Sequence, residues 1–171
     1  MKRVFFLLAF ITFPVMAQQL TPKSAFLEKW ENSKAYLVAM AESMPDDKYA
    51  FRPSEREMDF KSQLLHICGN MTWLSTTYFS EEEFDRQKFN ESAPDTKNEL
   101  IQFVKDSFDK AHARIEQTSE ETLADKVDFF AGPKSKLQIL NLLQDHVTHH
   151  RGQLIVYLNL NEIKPPKYVG W

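Results

Sequence analysis

Two histidines on the last apolar segment of the chain have the spacing of metal ligands. His146 and His150 are four residues apart, which stacks their imidazoles on one face of an α-helix. Both lie within about 20° of the centre of an apolar helical stripe, which includes Ile139, Leu143, Leu154 and Tyr157. Two such imidazoles can bind one divalent ion at about 2.0–2.1 Å. The pattern equally suits two core histidines that are hydrogen-bonded across a helical bundle, because a buried imidazole needs a hydrogen-bond partner.

A third ligand can come from either of two other helical segments. His66 lies about 120° from the apolar stripe of its own segment, on a second face with small residues that would let another helix come close. His112 lies beside the stripe of a later segment. Residue spacing alone does not choose between His66 and His112 as the third ligand. His149 points about 100° away from His150 and is expected to face solvent or a partner.

Four long segments with apolar residues spaced near 3.6 residues must position these histidines. They cover about 22–43, 59–79, 95–118 and 134–161, and Asp95 is predicted to cap the third. Helices of about 20 residues are roughly 30 Å long and can bury one shared core. We therefore predict an all-α fold, a four-helix bundle in a single domain. The segment Lys126 to Phe130 is the one short candidate for a strand, and the connection over 44–58 is expected to be structured.

The first seventeen residues differ from the rest of the chain. A cationic start precedes an apolar run over 4–13, and small residues lead up to Ala17, which is the pattern of a secretory signal peptide. The run is about half of the roughly 20 residues that span a membrane, so no stable membrane anchor is expected. The alternatives are an uncleaved anchor and a buried first helix. We predict a signal peptide at 1–17 and an exported bacterial protein, periplasmic or secreted, formed by 18–171.

Composition excludes several classes of protein. The 171 residues are 43% hydrophobic and 13% aromatic, with 4 glycines, unlike a disordered or collagen-like chain. The net charge is −3, with no basic excess to hold a phosphate backbone, so nucleic acid is not expected as a partner. Cys68 is the single cysteine. No internal disulfide can therefore form, and we interpret Cys68 as a small buried hydrophobe.

Two short motifs surround the histidines, DHVTHHRGQ over 145–153 and LHICGN over 65–70. They resemble the last-helix signature and the second-helix histidine motif of the DinB-like (DinB/YfiT-like) metalloenzyme family. The segments 44–45 (MP), 51–53 (FRP) and 168–171 (YVGW) are similar too. The likeness follows the family's order and spans nearly all of residues 18–171.

The resemblance implies a four-helix bundle that is commonly a homodimer, with one divalent metal bound by His66, His146 and His150. The resemblance thereby selects His66 over His112 as the third ligand, a choice that helical phase alone does not make. An interface would also account for apolar residues outside the main stripe of the last segment, namely Leu142, Val156 and Leu160. Connections between the helices could cover the same residues.

Three neutral imidazoles with open coordination positions are typical of a catalytic metal site. Zinc and nickel both suit imidazole nitrogen, and either can activate a bound water or a thiol. This predicts a metal-dependent enzyme of the hydrolase or thiol-transferase type that acts on an unidentified small molecule. Export argues against an enzyme of the thiol-transferase type, because small thiol cofactors are chiefly cytoplasmic. The alternative is a non-catalytic metal-binding or structural helical bundle.

The sequence assigns no general base. Val147 stands where the His-Glu-x-x-His motif of metalloproteases has its glutamate. Gln153 and Tyr157 share the stripe of the two histidines. They either contact a metal-bound water or substrate, or they are ordinary residues at the edge of the core.

Overall fold

A computed structural model describes residues 20–170. Within them lie five α-helices: α1 (Pro22–Ser43), α2 (Phe60–Phe79), α3 (Arg86–Glu91), α4 (Lys97–Gln117) and α5 (Lys136–Leu160). Two short strands, β1 (Lys126–Val127) and β2 (Lys134–Ser135), pair antiparallel before α5. The predicted all-α fold with four long helices is confirmed, and the predicted ends of those helices differ by two residues or fewer. The short α3 was not predicted.

Polar caps start the long helices. Thr96 accepts a hydrogen bond from the backbone N–H of Glu99, and Glu99 in return accepts one from the backbone N–H of Thr96. This capping box satisfies two N–H groups that the helix leaves without partners. The predicted cap at Asp95 is therefore wrong by one residue. The predicted signal peptide at 1–17, with its cleavage after Ala17, lies outside the described residues.

The long helices α1 and α2, which follow one another in the chain, occupy opposite corners of the bundle. Each of them packs against both α4 and α5. Gln63 near the start of α2 lies against Tyr157 near the end of α5, and His66 lies against His146 further back. The helices α2 and α5 are therefore antiparallel.

By contrast, α2 and α4 run in the same direction. Lys61 at the start of α2 donates a hydrogen bond to the carbonyl of Asp95, just before α4. Ser75, near the end of α2, accepts one from Arg114, near the end of α4. The chain must therefore return along the length of the bundle between them, and residues 80–96, including α3, make that return.

Cys68 is fully buried on α2. Burial raises the pKa of its thiol to about 12, so the reactive thiolate is not populated near neutral pH. The structure agrees with the interpretation of Cys68 as a small core residue.

A few apolar side chains remain on the surface of α5. Val156 and Leu160 are 52% and 57% exposed, whereas Leu142 is partly buried against the core. The homodimer that the sequence suggests stays a prediction. None of the helices in the described part of the chain has the length and hydropathy needed to cross a membrane.

An aromatic pair is buried at the α1–α4 interface. Trp30 and Phe108 are both fully buried, their ring centroids are 4.7 Å apart, and Trp30 Nε1 donates a hydrogen bond to the carbonyl of Phe108. Phe108→Ala should lower the free energy of unfolding by about 3–5 kcal/mol, because the cavity remains open after the ring is removed.

Urea denaturation measures this loss, and Phe130→Ala is the matched control. Phe130 is 84% exposed, so its removal should change stability by ~0.5 kcal/mol or less. Equal effects of the two substitutions would contradict the packing described here.

Candidate metal centre

The antiparallel packing of α2 and α5 brings three histidines together. The ring centroids of His66 and His146 are 4.8 Å apart, and the centroid of His150 is 4.5 Å from each. One ring nitrogen from each histidine lies within 4.8 Å of the other two. His66 is exposed, His146 is partly buried and His150 is buried, so the cluster lies at the edge of the core.

Two of these imidazoles point at each other through the same kind of atom. His66 Nε2 and His146 Nε2 are 3.1 Å apart. Two nitrogens about 2.0–2.1 Å from one tetrahedral ion are separated by roughly 3.3 Å, so little movement would let both bind it. The spacing of the two Nε2 atoms therefore fits a shared cation. The other ring nitrogen of His146, Nδ1, is buried and has no hydrogen-bond partner among the described residues.

The protonation of His150 follows from its surroundings. The Tyr157 hydroxyl donates to the carbonyl of Met58, so its oxygen accepts from the amide nitrogen of Gln63. The amide oxygen of Gln63 must then face His150 Nδ1, at 2.7 Å. Gln153 Oε1 lies at 2.7 Å from the same nitrogen. Because two oxygens face it, Nδ1 carries the proton, and Nε2 is left with a free lone pair.

All three imidazoles are held in the neutral form. Burial, with the neighbouring His150 and His66, lowers the pKa of His146 to about 3. Burial also lowers the pKa of His66, assisted by the guanidinium of Arg86. The pKa of His150 is lowered by burial and by His66. Near neutral pH the cluster therefore offers unprotonated nitrogens to a cation.

His149 and the rival ligand His112 do not join the cluster. His149 is exposed on α5. His112 Nδ1 lies 2.6 Å from Glu31 Oε1 across the α1–α4 interface, although the alignment does not suit a hydrogen bond. Gln153 contacts His150 directly, whereas the buried Tyr157 contacts Gln63 and no histidine of the cluster. Val147 is buried and offers no base.

Gln63 is the residue of this site that sequence reasoning missed. It is fully buried and lies between Phe60 and Ile67 on the apolar stripe of α2. A glutamine on an otherwise apolar stripe is itself a signal, because buried amides require partners.

A cavity of about 470 Å³ adjoins the cluster at His66. One wall is the α2 face that carries Gly69 and Trp73, and the other is formed by α3 with Arg86 and Phe89. Gly69 permits the close approach, since a Cβ there would lie 3.2 Å from Phe89 Cε1. The sequence predicted that small residues on this face would admit another helix, but it did not predict α3.

Comparison with known proteins identifies the family of this bundle. A sequence model of the DinB family matches residues 16–168, which is most of the chain. The chain belongs to the DinB family. One relative in that group is the uncharacterized protein YjoA of Bacillus subtilis (strain 168), which is 26% identical over 122 residues, covering 70% of this chain and 77% of YjoA.

Solved structures share the DinB fold. The crystal structure of YjoA from Bacillus subtilis superposes with a TM-score of 0.70 at 20% identity, covering 84% of this chain and 96% of YjoA. A DinB-like protein from Bacillus cereus ATCC 10987 gives a TM-score of 0.70 at 18% identity, covering 84% and 95% of the two chains. A mutant of the mycothiol-dependent maleylpyruvate isomerase gives 0.63 at 12% identity, covering 80% of this chain and 63% of the isomerase.

The network around His150 makes a prediction about the metal-free protein. We expect His150 to carry its proton on Nδ1, because Gln63 and Gln153 both present oxygen to that atom. Long-range ¹H–¹⁵N correlation spectra of the imidazole distinguish the two tautomers. The double variant Gln63→Leu/Gln153→Leu should lose the preference and give a mixture.

His149, which is exposed on the same helix, is the internal reference for these spectra. Its tautomer ratio should not change between wild type and the double variant. A wild-type His150 with its proton on Nε2 would contradict the hydrogen-bond assignment.

Proposed function

We propose that this DinB-family protein binds one divalent metal ion through His66, His146 and His150 and is a metal-dependent enzyme acting on a small molecule. The observation that supports this proposal is the convergence of three neutral imidazoles from two helices, each with a nitrogen within 4.8 Å of the others. A hydrogen-bonded pair accounts for the 3.1 Å between His66 Nε2 and His146 Nε2, but not for a third imidazole that brings a nitrogen within 4.8 Å of both.

The donor set suits zinc or nickel, because both bind imidazole nitrogen well. A metal held by three neutral ligands keeps open positions and supplies Lewis acidity, which lowers the pKa of a coordinated water or thiol. The protein's own contribution is orientation. Gln63 and Gln153 hold the His150 ring through Nδ1 and leave Nε2 as the nitrogen with a free lone pair.

An enzyme is favoured over a non-catalytic metal-binding protein by the cavity beside His66, which offers a small molecule access to the cluster. Two reaction types fit the site, a hydrolase and a thiol transferase. The fold shared with a mycothiol-dependent isomerase supports a thiol reaction, whereas export would favour hydrolysis. Turnover by the metal-loaded protein with and without a small thiol separates the two.

Metal binding is the first test of the proposal. Untagged protein loaded with zinc or nickel should retain about one ion per chain by elemental analysis. His146→Ala and His150→Ala should abolish this binding and His66→Ala nearly so, because each removes a ligand that the other two do not replace. His149→Ala and His112→Ala are the matched controls and should leave binding largely intact. If wild-type protein retains no ion at pH 8, the histidines serve packing and the enzyme proposal fails.

The affinity for zinc should resist acid better than a site of ordinary histidines. Protons compete with metal for the ligand nitrogens, and each ligand here has a pKa below the usual value of about 6.5. We therefore expect the affinity to change little between pH 8 and 6.5 and to fall as the pH drops further. Titration calorimetry across this range is the measurement, and a steep loss above pH 6.5 would contradict it.

We also propose that residues 1–17 direct export and are removed after Ala17, because they combine a cationic start, an apolar run and small residues before the cleavage point. Protein recovered from the periplasm or medium should begin at Gln18 by N-terminal sequencing. Ala17→Arg should block processing and leave the precursor. Recovery of wild-type protein that begins at Met1 would overturn this proposal.

A further inference from the structure

The cavity beside the histidine cluster has the dimensions of a small-molecule site. Its volume of about 470 Å³ falls within the range of roughly 300–1,000 Å³ that is usual for ligand pockets. His66 lines it, so a molecule inside can reach one of the three proposed metal ligands. The proposed metal site does not by itself indicate which class of ligand occupies this cavity.

The charge of the cavity is unusual for an acidic protein. Arg86 carries the one permanent charge among the described residues that line it, and no carboxylate is among them. The whole chain has a net charge of −3, so the cavity is locally positive in a negative molecule. An anion is therefore the ligand that electrostatics favours here.

The guanidinium of Arg86 is available to a ligand. Arg86 is exposed and has no ion pair or side-chain hydrogen bond among the described residues. Its guanidinium lies 5.8 Å from the centroid of the Phe84 ring and acts electrostatically on His66. A guanidinium offers two parallel N–H donors that match a carboxylate. A single guanidinium balances one negative charge, which fits a carboxylate better than a doubly charged phosphate ester.

The remaining walls define the body of the ligand. Trp73 lies on the α2 side and Phe89 on the α3 side, so both walls offer an aromatic ring to a flat apolar group. Ser62 and Asn90 add a hydroxyl and an amide at the lining, which can fix orientation by hydrogen bonds.

We propose that this cavity binds a small carboxylic acid with a flat apolar body, the carboxylate paired with Arg86, the body against Trp73 and Phe89, and the opposite end directed toward His66. As the identity of a substrate, this inference rests on the proposed function. Binding of the acid itself needs only the cavity and Arg86, so it can be measured without metal.

Benzoate and benzamide are the probes, because they share a flat ring and differ in charge. In metal-free protein we expect benzoate to bind about tenfold more tightly than benzamide, since a charge-assisted pair with a guanidinium is stronger than a neutral hydrogen bond. Titration followed by NMR measures both affinities, and the indole N–H resonance of Trp73 reports whether the ligand lies in the cavity.

Two variants test the assignment, with one matched control. Arg86→Gln should reduce the benzoate preference to about threefold or less, because it removes the charge and keeps a polar chain. Gly69→Leu should weaken both probes, since even a Cβ at this position lies 3.2 Å from Phe89. Arg56→Gln removes an exposed arginine that does not line the cavity and should change neither affinity.

The inference is overturned if metal-free wild type binds the two probes equally, or if the benzoate preference survives Arg86→Gln. It is also overturned if Gly69→Leu leaves both affinities unchanged, because the ligand would then lie elsewhere. The proposed metal site is judged separately by elemental analysis. Arg86-dependent benzoate binding in a protein that retains no metal supports the anion site and rejects only the metal-dependent enzyme.

Discussion

The buried contact between Gln63 and His150 sets the geometry on which the rest of this structure depends. Gln63 is fully buried, and its two amide atoms are used by His150 and by Tyr157. A shift of α2 against α5 would break both hydrogen bonds and leave polar groups unpaired inside the protein, which is costly. The contact therefore selects one register for the two helices, and that register brings His66 opposite His146.

The parallel direction of α2 and α4 has a second consequence for the same region. Parallel helices cannot be joined by a tight turn, so residues 80–96 must return along the bundle. The return passes over the α2 face that carries His66 and Gly69, and α3 lies against it. The histidine cluster and the cavity are thus neighbours because one helix contributes to both, with its inner side packed on α5 and its flank covered by α3.

The three histidines also make the stability of the fold depend on pH. Burial and neighbouring positive groups lower the pKa of the three histidines, so protonating any one of them in the folded state is unfavourable. The unfolded chain takes up those protons at about pH 6.5 and below, and stability contributed by the neutral imidazoles is therefore lost as the pH falls through that range. A bound cation would act in the opposite sense, because it interacts with the neutral nitrogens that the folded state presents.

Local rules in the sequence determined the four long helices. Apolar spacing and capping residues act within one segment, so the ends of those helices and the inward direction of His146 and His150 could be predicted. Residue spacing could not choose between His66 and His112 as the third ligand. Helical phase identifies the face on which a residue lies, but not the helix that packs against that face. Topology decided between them: α2 packs His66 against α5, whereas α4 directs His112 toward Glu31 of α1. The role of Gln63 and the positive cavity at Arg86 likewise arise from contacts between residues distant in the chain, which only the folded arrangement of helices brings together.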